Sequence, residues 1–353
     1  MVLNIKKSVL AFYLVALFGV IVSAIGFYIL PERFFYDTVN IINDPYNEIG
    51  LKGSFPFTIW FYNVTGLKYW HFSLIGVLQY LIIVTLLYKI GVPDTFNKLT
   101  IKNILVYLAF IMTAIFISMP SKEFITFLYM ALIIFIIKKR EQFSKKTVVY
   151  ILGLLLFFGY FFRQYYILVA VISVVFYAVS RVNFKNKRLV TFFYGLFIAI
   201  IMSLSYGIIK GTFLSYETRE FINEFRAGRD ATNSAIISPI PTDTWYGESF
   251  GIVYGFISVN LPVNGLKHIM SPQIIVFVFW QLLLFIILFI RYDKCLAKGI
   301  KNNYDLWIFY ILFSFFISQG IFEPDLGSAI RHKMGVFPLI YFALYYDSFR
   351  KKI

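Results

Sequence analysis

Residues 147–180 read TVVYILGLLLFFGYFFRQYYILVAVISVVFYAVS, 34 residues with one charge, Arg163, near the middle. One crossing of roughly 30 Å of hydrocarbon needs about 20 residues, and two full crossings need roughly 40. The stretch is too long for one span and too short for two ordinary ones. It therefore predicts a hairpin of two short helices, over 147–162 and 165–180. The Arg163-Gln164 corner would sit below the outer interface. A buried charged corner is tolerated only where protein or a water-filled recess surrounds it.

The same length test, applied outward, marks apolar runs at 8–30, 71–90, 103–119, 123–137, 189–209, 273–290, 306–322 and 333–347. With the hairpin this makes about ten spans. The expected fold is all-α: a polytopic integral membrane protein, 1–353 as a single transmembrane domain, with some short helices paired around an outward-facing cavity. Composition agrees. The chain is 59% hydrophobic and only 14% charged, against roughly 25% charged in soluble domains. Too little polar surface exists to cover a water-soluble globule, which excludes a cytosolic enzyme and a disordered chain. The single cysteine, Cys295, excludes a disulfide framework. Three histidines argue against a multi-histidine metal centre, and no metal or other cofactor is expected.

The net charge is +15. Its distribution points to membrane insertion rather than to nucleic acid. Basic clusters at Lys6/Lys7, Lys89–Lys102, Lys138–Lys146, Arg181–Arg188, Arg291–Lys301 and Arg350–Lys352 fall on alternate sides of the spans, hence all on one side. Under the positive-inside rule that side is the cytoplasm, and both termini lie there. An uncleaved anchor is expected at 8–30, since no small-residue cleavage site follows it.

Two long connections face outward, 31–70 and 210–272. Within the second, apolar residues at 213–228 recur near helical spacing with Arg219, Arg226 and glutamates between them, and Gly228 stands as a cap. This reads as an amphipathic helix on the outer leaflet or over a cavity. The stretch 251–262 is apolar but too short to span, and reads as re-entrant.

The charges worth weighing for chemistry all lie on the outer side. Arg163 either snorkels to the interface or binds a phosphate with its guanidinium fork. Lys122-Glu123, after Pro120, is either a capping acid beside a snorkelling lysine or a cavity-wall ion pair with Glu123 as general base. Arg331-His332-Lys333 either anchors the last span or, with Arg163, forms a pyrophosphate clamp in which His332 serves as acid or base. Asp37 is a loop acid, a catalytic base or a carboxylate that orients an acceptor hydroxyl. Asp243 and Glu248 are weaker candidates of the same kind. Tyr46, Trp60, Trp70 and Trp245 suit an interfacial belt or sugar stacking. No P-loop, dinucleotide fingerprint or HExxH motif is present.

The ten-span plan, the turn PSKEF at 120–124, the corner FFRQYY at 161–166 and the segment EPDLGSAIRHKMGVFPLIYFAL at 323–344 together resemble the Wzy-type oligosaccharide repeat-unit polymerases of O-antigen and capsule assembly. The resemblance implies a glycosyltransferase of the bacterial inner (cytoplasmic) membrane. It would transfer a glycan from undecaprenyl pyrophosphate to the non-reducing end of another lipid-linked unit. It further implies Lys122, Arg163, Arg331, Arg226 and Arg229 on the pyrophosphate, and Asp37, Glu123 or His332 as base. The partners it implies are the undecaprenyl-pyrophosphate-linked oligosaccharide, membrane lipid, a chain-length regulator and a flippase, with no nucleic acid. Rival readings are a polyprenyl-phosphate-sugar glycosyltransferase, an O-antigen ligase and a flippase of lipid-linked sugars.

Overall fold

A computed structural model describes residues 6–139, 145–226, 234–300 and 303–349. Among them no strand forms. A single antiparallel bridge joins Ala235 and Asp325. In chain order the helices are α1 (Lys7–Ile29), α2 (Tyr36–Asn43), α3 (Ser54–Val64), α4 (Phe72–Ile90), α5 (Ile101–Phe116), α6 (Lys122–Lys139), α7 (Lys145–Phe161) and α8 (Tyr165–Ser180). There follow α9 (Lys187–Lys210), α10 (Phe221–Arg226), α11 (Trp245–Asn260), α12 (Pro272–Ala297), α13 (Asp305–Phe322), α14 (Leu326–Gly335) and α15 (Phe337–Phe349).

Five of these, α1, α4, α9, α12 and α13, are long and apolar enough to cross a membrane. Helices α5 and α8 are apolar but have only 16 residues each, about 24 Å. The 13 residues of α15 reach about 20 Å. Burial separates the long helices. The apolar window of α13 is wholly buried, whereas those of α1 and α9 are only 28% and 22% buried. Leu10, Leu14, Leu17, Phe18 and Ile21 of α1 stand exposed. Apolar faces of this extent need a hydrocarbon solvent, which points to a membrane-embedded protein.

The chain packs as two compact units. The first comprises Met1–Ile151, Tyr160–Arg163 and Arg331–Ile353; the second comprises Leu152–Gly159 and Gln164–Ile330. In the first unit α1 lies on α4 and α5, and α6 packs on α4 and α15. Small residues set the α1–α4 approach. A Cβ on Gly76 would come 2.5 Å from the Ser23 carbonyl oxygen, and Ser73 Oγ donates to Ala24 O at 2.6 Å. The connection 31–70 is helical: α2 and α3 close over a core of Ile41, Ile59, Tyr62 and Ile75.

In the second unit α13 is sheathed by α8, α11, α9 and α12. Polar side chains tie it in. Ser173 Oγ meets Ser314 Oγ at 3.1 Å, Ser180 meets Tyr310 at 2.7 Å, and Asn260 donates to Phe316 O at 3.0 Å. Residues 251–260 of the apolar stretch belong to a 16-residue helix, α11, capped by Thr244. Its Gly255 touches α13 so closely that a Cβ would fall 2.0 Å from the Gly320 carbonyl oxygen. Gly255→Ala is therefore expected to force the helices apart. A loss of about 1–3 kcal/mol should appear as a lower midpoint in thermal unfolding of the detergent-solubilised protein.

The segment 213–228 departs from a plain amphipathic helix. It contains a π turn over Tyr216–Glu220. Phe221 and Phe225 are exposed, as on an interfacial helix, but Arg219 is fully buried. Gly228 lies outside the described residues. The last apolar run also differs, since 333–347 is not one helix. α14 starts earlier, at Leu326, and a break at Val336 precedes α15, where Pro338 supplies no backbone N–H.

Candidate functional site

The described charged groups singled out in the sequence are held by local structure. Asp37 stands in the first turn of α2, behind the 3-10 turn Glu32–Phe34. Its neighbour Phe35 is buried against Phe27. Lys122 and Glu123 open α6, which Ser121 caps by accepting from the Phe124 N–H at 3.2 Å. The Ser121 N–H in turn donates to Tyr62 Oη at 3.4 Å. Gln79 of α4 completes the brace: with its amide oriented to its neighbours, it accepts from Tyr62 Oη at 2.6 Å and donates to Ser118 O at 2.9 Å. Arg163 follows α7, whose last carbonyl, on Phe161, accepts from the Gly53 N–H at 2.8 Å. Arg331 and His332 stand on α14.

These groups meet in the first unit at two carboxylates. Asp37 Oδ2 lies 3.2 Å from Lys122 Nζ and 3.0 Å from Arg331 Nη1. Glu123 Oε1 lies 2.5 Å from Arg163 Nη2 and 3.3 Å from His332 Nε2. Arg331 also donates to Phe34 O at 3.5 Å, and Lys122 Nζ sits 3.5 Å from the centre of the Phe55 ring. Glu123 is fully buried, while Lys122 and Arg163 are 9% and 7% exposed. Among these six side chains three cations and an imidazole face two carboxylates. Glu123 Oε2 has no hydrogen-bond partner among the described residues.

Burial alone would push the Asp37 carboxyl up. The charges of Lys122 and Arg331 outweigh that and hold it at about 2. Asp37 is thus an ionised bridge between two cations and a poor proton acceptor. Glu123 places one oxygen on a guanidinium and an imidazole, and leaves the other open. Glu123 is ion-paired as Asp37 is and is no better a proton acceptor, so an arrangement of this kind can receive an oxyanion on its cations and a proton on His332.

The remaining described candidates have other partners. Arg226 belongs to the second unit, where it pairs with Asp325 at 2.8 Å. Asp325 also caps α14 by accepting from the Ser328 N–H at 2.8 Å. Arg226 is therefore not one of the groups gathered at Asp37 and Glu123. Arg229 lies outside the described residues. Arg219 donates to Gly251 O and Gly320 O, bracing α11 against α13. Glu248 is buried and accepts from Ser203 Oγ and Ser215 Oγ, whereas Asp243 is exposed. Asp44 ends α2 in the left-handed region and accepts from the Glu48 N–H. Tyr46, Trp70 and Trp245 are exposed. Among the described residues no group of three His, Cys, Asp or Glu side chains is placed to hold a metal ion.

Tyr62 and Gln79 were not among the sequence candidates. Gln79 carried a signal, as a lone amide within the apolar run of α4, where a polar group needs a partner. No family model, no curated protein and no solved structure matches this chain.

Proposed function

We propose that the protein is a membrane glycosyltransferase that polymerises lipid-linked oligosaccharide repeat units. One observation carries this reading: Lys122, Arg163, Arg331 and His332 come from distant parts of the chain to share two carboxylates, Asp37 and Glu123. A buried ion-pair cluster of this size is poor value as a stabiliser, because apolar residues of similar volume often do as well. Its convergent cations suit a substrate that arrives with an anion.

In the proposed reaction the acceptor hydroxyl attacks the anomeric carbon of the donor. The carbon–oxygen bond to the lipid pyrophosphate breaks, and its electrons leave with the pyrophosphate. Arg163, Arg331 and Lys122 stabilise the charge that develops there. The hydroxyl proton passes to His332, whose Nε2 lies 3.3 Å from Glu123. Asp37 holds Lys122 and Arg331 in place, since a carboxyl held at about 2 is too weak a base. The reading carries with it ten crossings, cytoplasmic termini, a cavity open to the outer face of a bacterial inner membrane and the short hairpin at Arg163.

The test is a reaction of the purified protein in nanodiscs with undecaprenyl-pyrophosphate repeat units, with and without chelator. A metal-independent ladder of repeat-unit multiples is expected. Transfer of one sugar only, or dependence on a divalent ion, would favour a polyprenyl-phosphate-sugar glycosyltransferase. A single transfer of finished chains to a lipid core would favour a ligase. Absence of any covalent product from folded protein would favour a lipid-linked-sugar flippase.

A further inference from the structure

A groove of about 510 Å³ opens between α4 and α6, lined by Leu86, Lys89, Phe135 and Lys138. Both helices belong to the first unit and pack on one another. The groove lies at their last turns. On α6 that is a helix length away from Lys122 and Glu123, so it takes no part in the chemistry above. Leu86 and Phe135 form a half-buried apolar wall, and Lys89 is exposed beside them. Lys138 Nζ donates to Ile90 O, the terminal carbonyl of α4, and stands 5.7 Å from the Phe349 ring centre. That bond meets part of the negative dipole at the α4 C-terminus.

Two lysines over an apolar wall define the chemistry of an occupant: anionic at one end and hydrocarbon along the rest. The apolar surface continues from the groove along both helices, through exposed Ile82, one turn before Leu86 on α4, and Leu132, one turn before Phe135 on α6. We propose that this groove binds an anionic phospholipid. Its phosphate sits between Lys89 and Lys138, and its acyl chains lie over Leu86, Phe135 and the apolar faces beyond. Basic pockets between membrane helices bind such headgroups by the same combination of charge and burial. A free phosphate shares the headgroup chemistry but gains nothing from the apolar wall.

The experiment is native mass spectrometry of the full chain, delipidated in detergent and titrated with phosphatidylglycerol or phosphatidylcholine of matched chains. Retention of phosphatidylglycerol over phosphatidylcholine is expected. Lys89→Gln should weaken phosphatidylglycerol binding roughly fivefold, the effect of one basic residue near an anionic headgroup. Lys89→Arg should preserve it, and Lys89→Gln with Lys138→Gln should remove the preference. Lys89 is exposed at a helix end, so its single variant leaves the packing intact. Equal retention of the two lipids, or a preference unchanged by Lys89→Gln, would overturn the proposal. Displacement of the lipid by millimolar inorganic phosphate would overturn it in favour of a free-anion site.

Discussion

Arg163→Ala is expected to lower the rate of polymer formation by about 10²–10³-fold, the usual cost of losing one donor that stabilises a developing oxyanion. It is expected to destabilise the fold as well. Glu123 is fully buried, and its oxygen 2.5 Å from Arg163 would lose its permanent cationic partner and keep His332, which is charged only when protonated. Removing one side of a buried pair costs about 3–5 kcal/mol. Arg163→Lys should recover much of the stability but little of the rate, because an ammonium cannot present the planar fork to both a carboxylate and a phosphate. Pairing Glu123→Gln with Arg163→Met should restore the unfolding midpoint without restoring turnover. Thermal unfolding and the ladder assay, run on the same four proteins, separate the two effects. A rate unchanged in Arg163→Ala would remove this residue from the chemistry.

Asp37→Asn should produce the second large effect. It leaves Lys122 and Arg331, which share one carboxylate oxygen at 3.2 and 3.0 Å, without the charge that holds them together. The same linkage appears in pH. The folded carboxyl titrates at about 2, against an ordinary value of 3.8. Between those values the unfolded chain binds more protons than the folded one, so stability rises with pH there. The contribution is complete above about pH 4 and falls away as pH drops towards 2. The displacement corresponds to about 2 kcal/mol at 1.36 kcal/mol per pKa unit. Unfolding midpoints measured from pH 6 down to pH 2 should show this loss in the wild type. Asp37→Asn should flatten that part of the curve and lie below it at pH 6.

Much of the helical plan was legible because a membrane span needs a long apolar run and little else. Tyr165–Ser180 matches the expected helix to the residue, since Arg163 on one side and Arg181 on the other punctuate it. Helices α2 and α3 were not legible. They have 8 and 11 residues of mixed aromatic and polar character, and gain their stability from the small core they share. The π turn at Tyr216–Glu220 hid the burial of Arg219, because an extra residue in a turn breaks the 3.6-residue period on which face assignment rests.

At the site, residue type and outward placement marked Asp37, Lys122, Glu123, Arg163, Arg331 and His332. Nothing in the sequence said that Asp37 would take Lys122 and Arg331 while Glu123 took Arg163 and His332. Pairing across such separations is decided by packing, and Tyr62 and Gln79 enter only through it. The same holds for Arg226, whose partner Asp325 is set by the way 234–236 runs beside Pro324–Leu326.

The site's dispersed origin has a consequence for how the protein is made. A ribosome delivers residues in order, at about 5–20 per second. Asp37, Lys122 and Glu123 are therefore in place long before Arg331 and His332 exist. During that interval the nascent chain carries Glu123 with Arg163 alone and Asp37 with Lys122 alone. Half of each charge constellation is absent while the helices that bear it are already being inserted. Only arrival of α14 supplies the missing halves, so the final helices act as the latch of assembly. Chains stalled before them hold two balanced ion pairs but lack α15, the helix on which α6 packs, and should become early substrates for quality-control proteolysis.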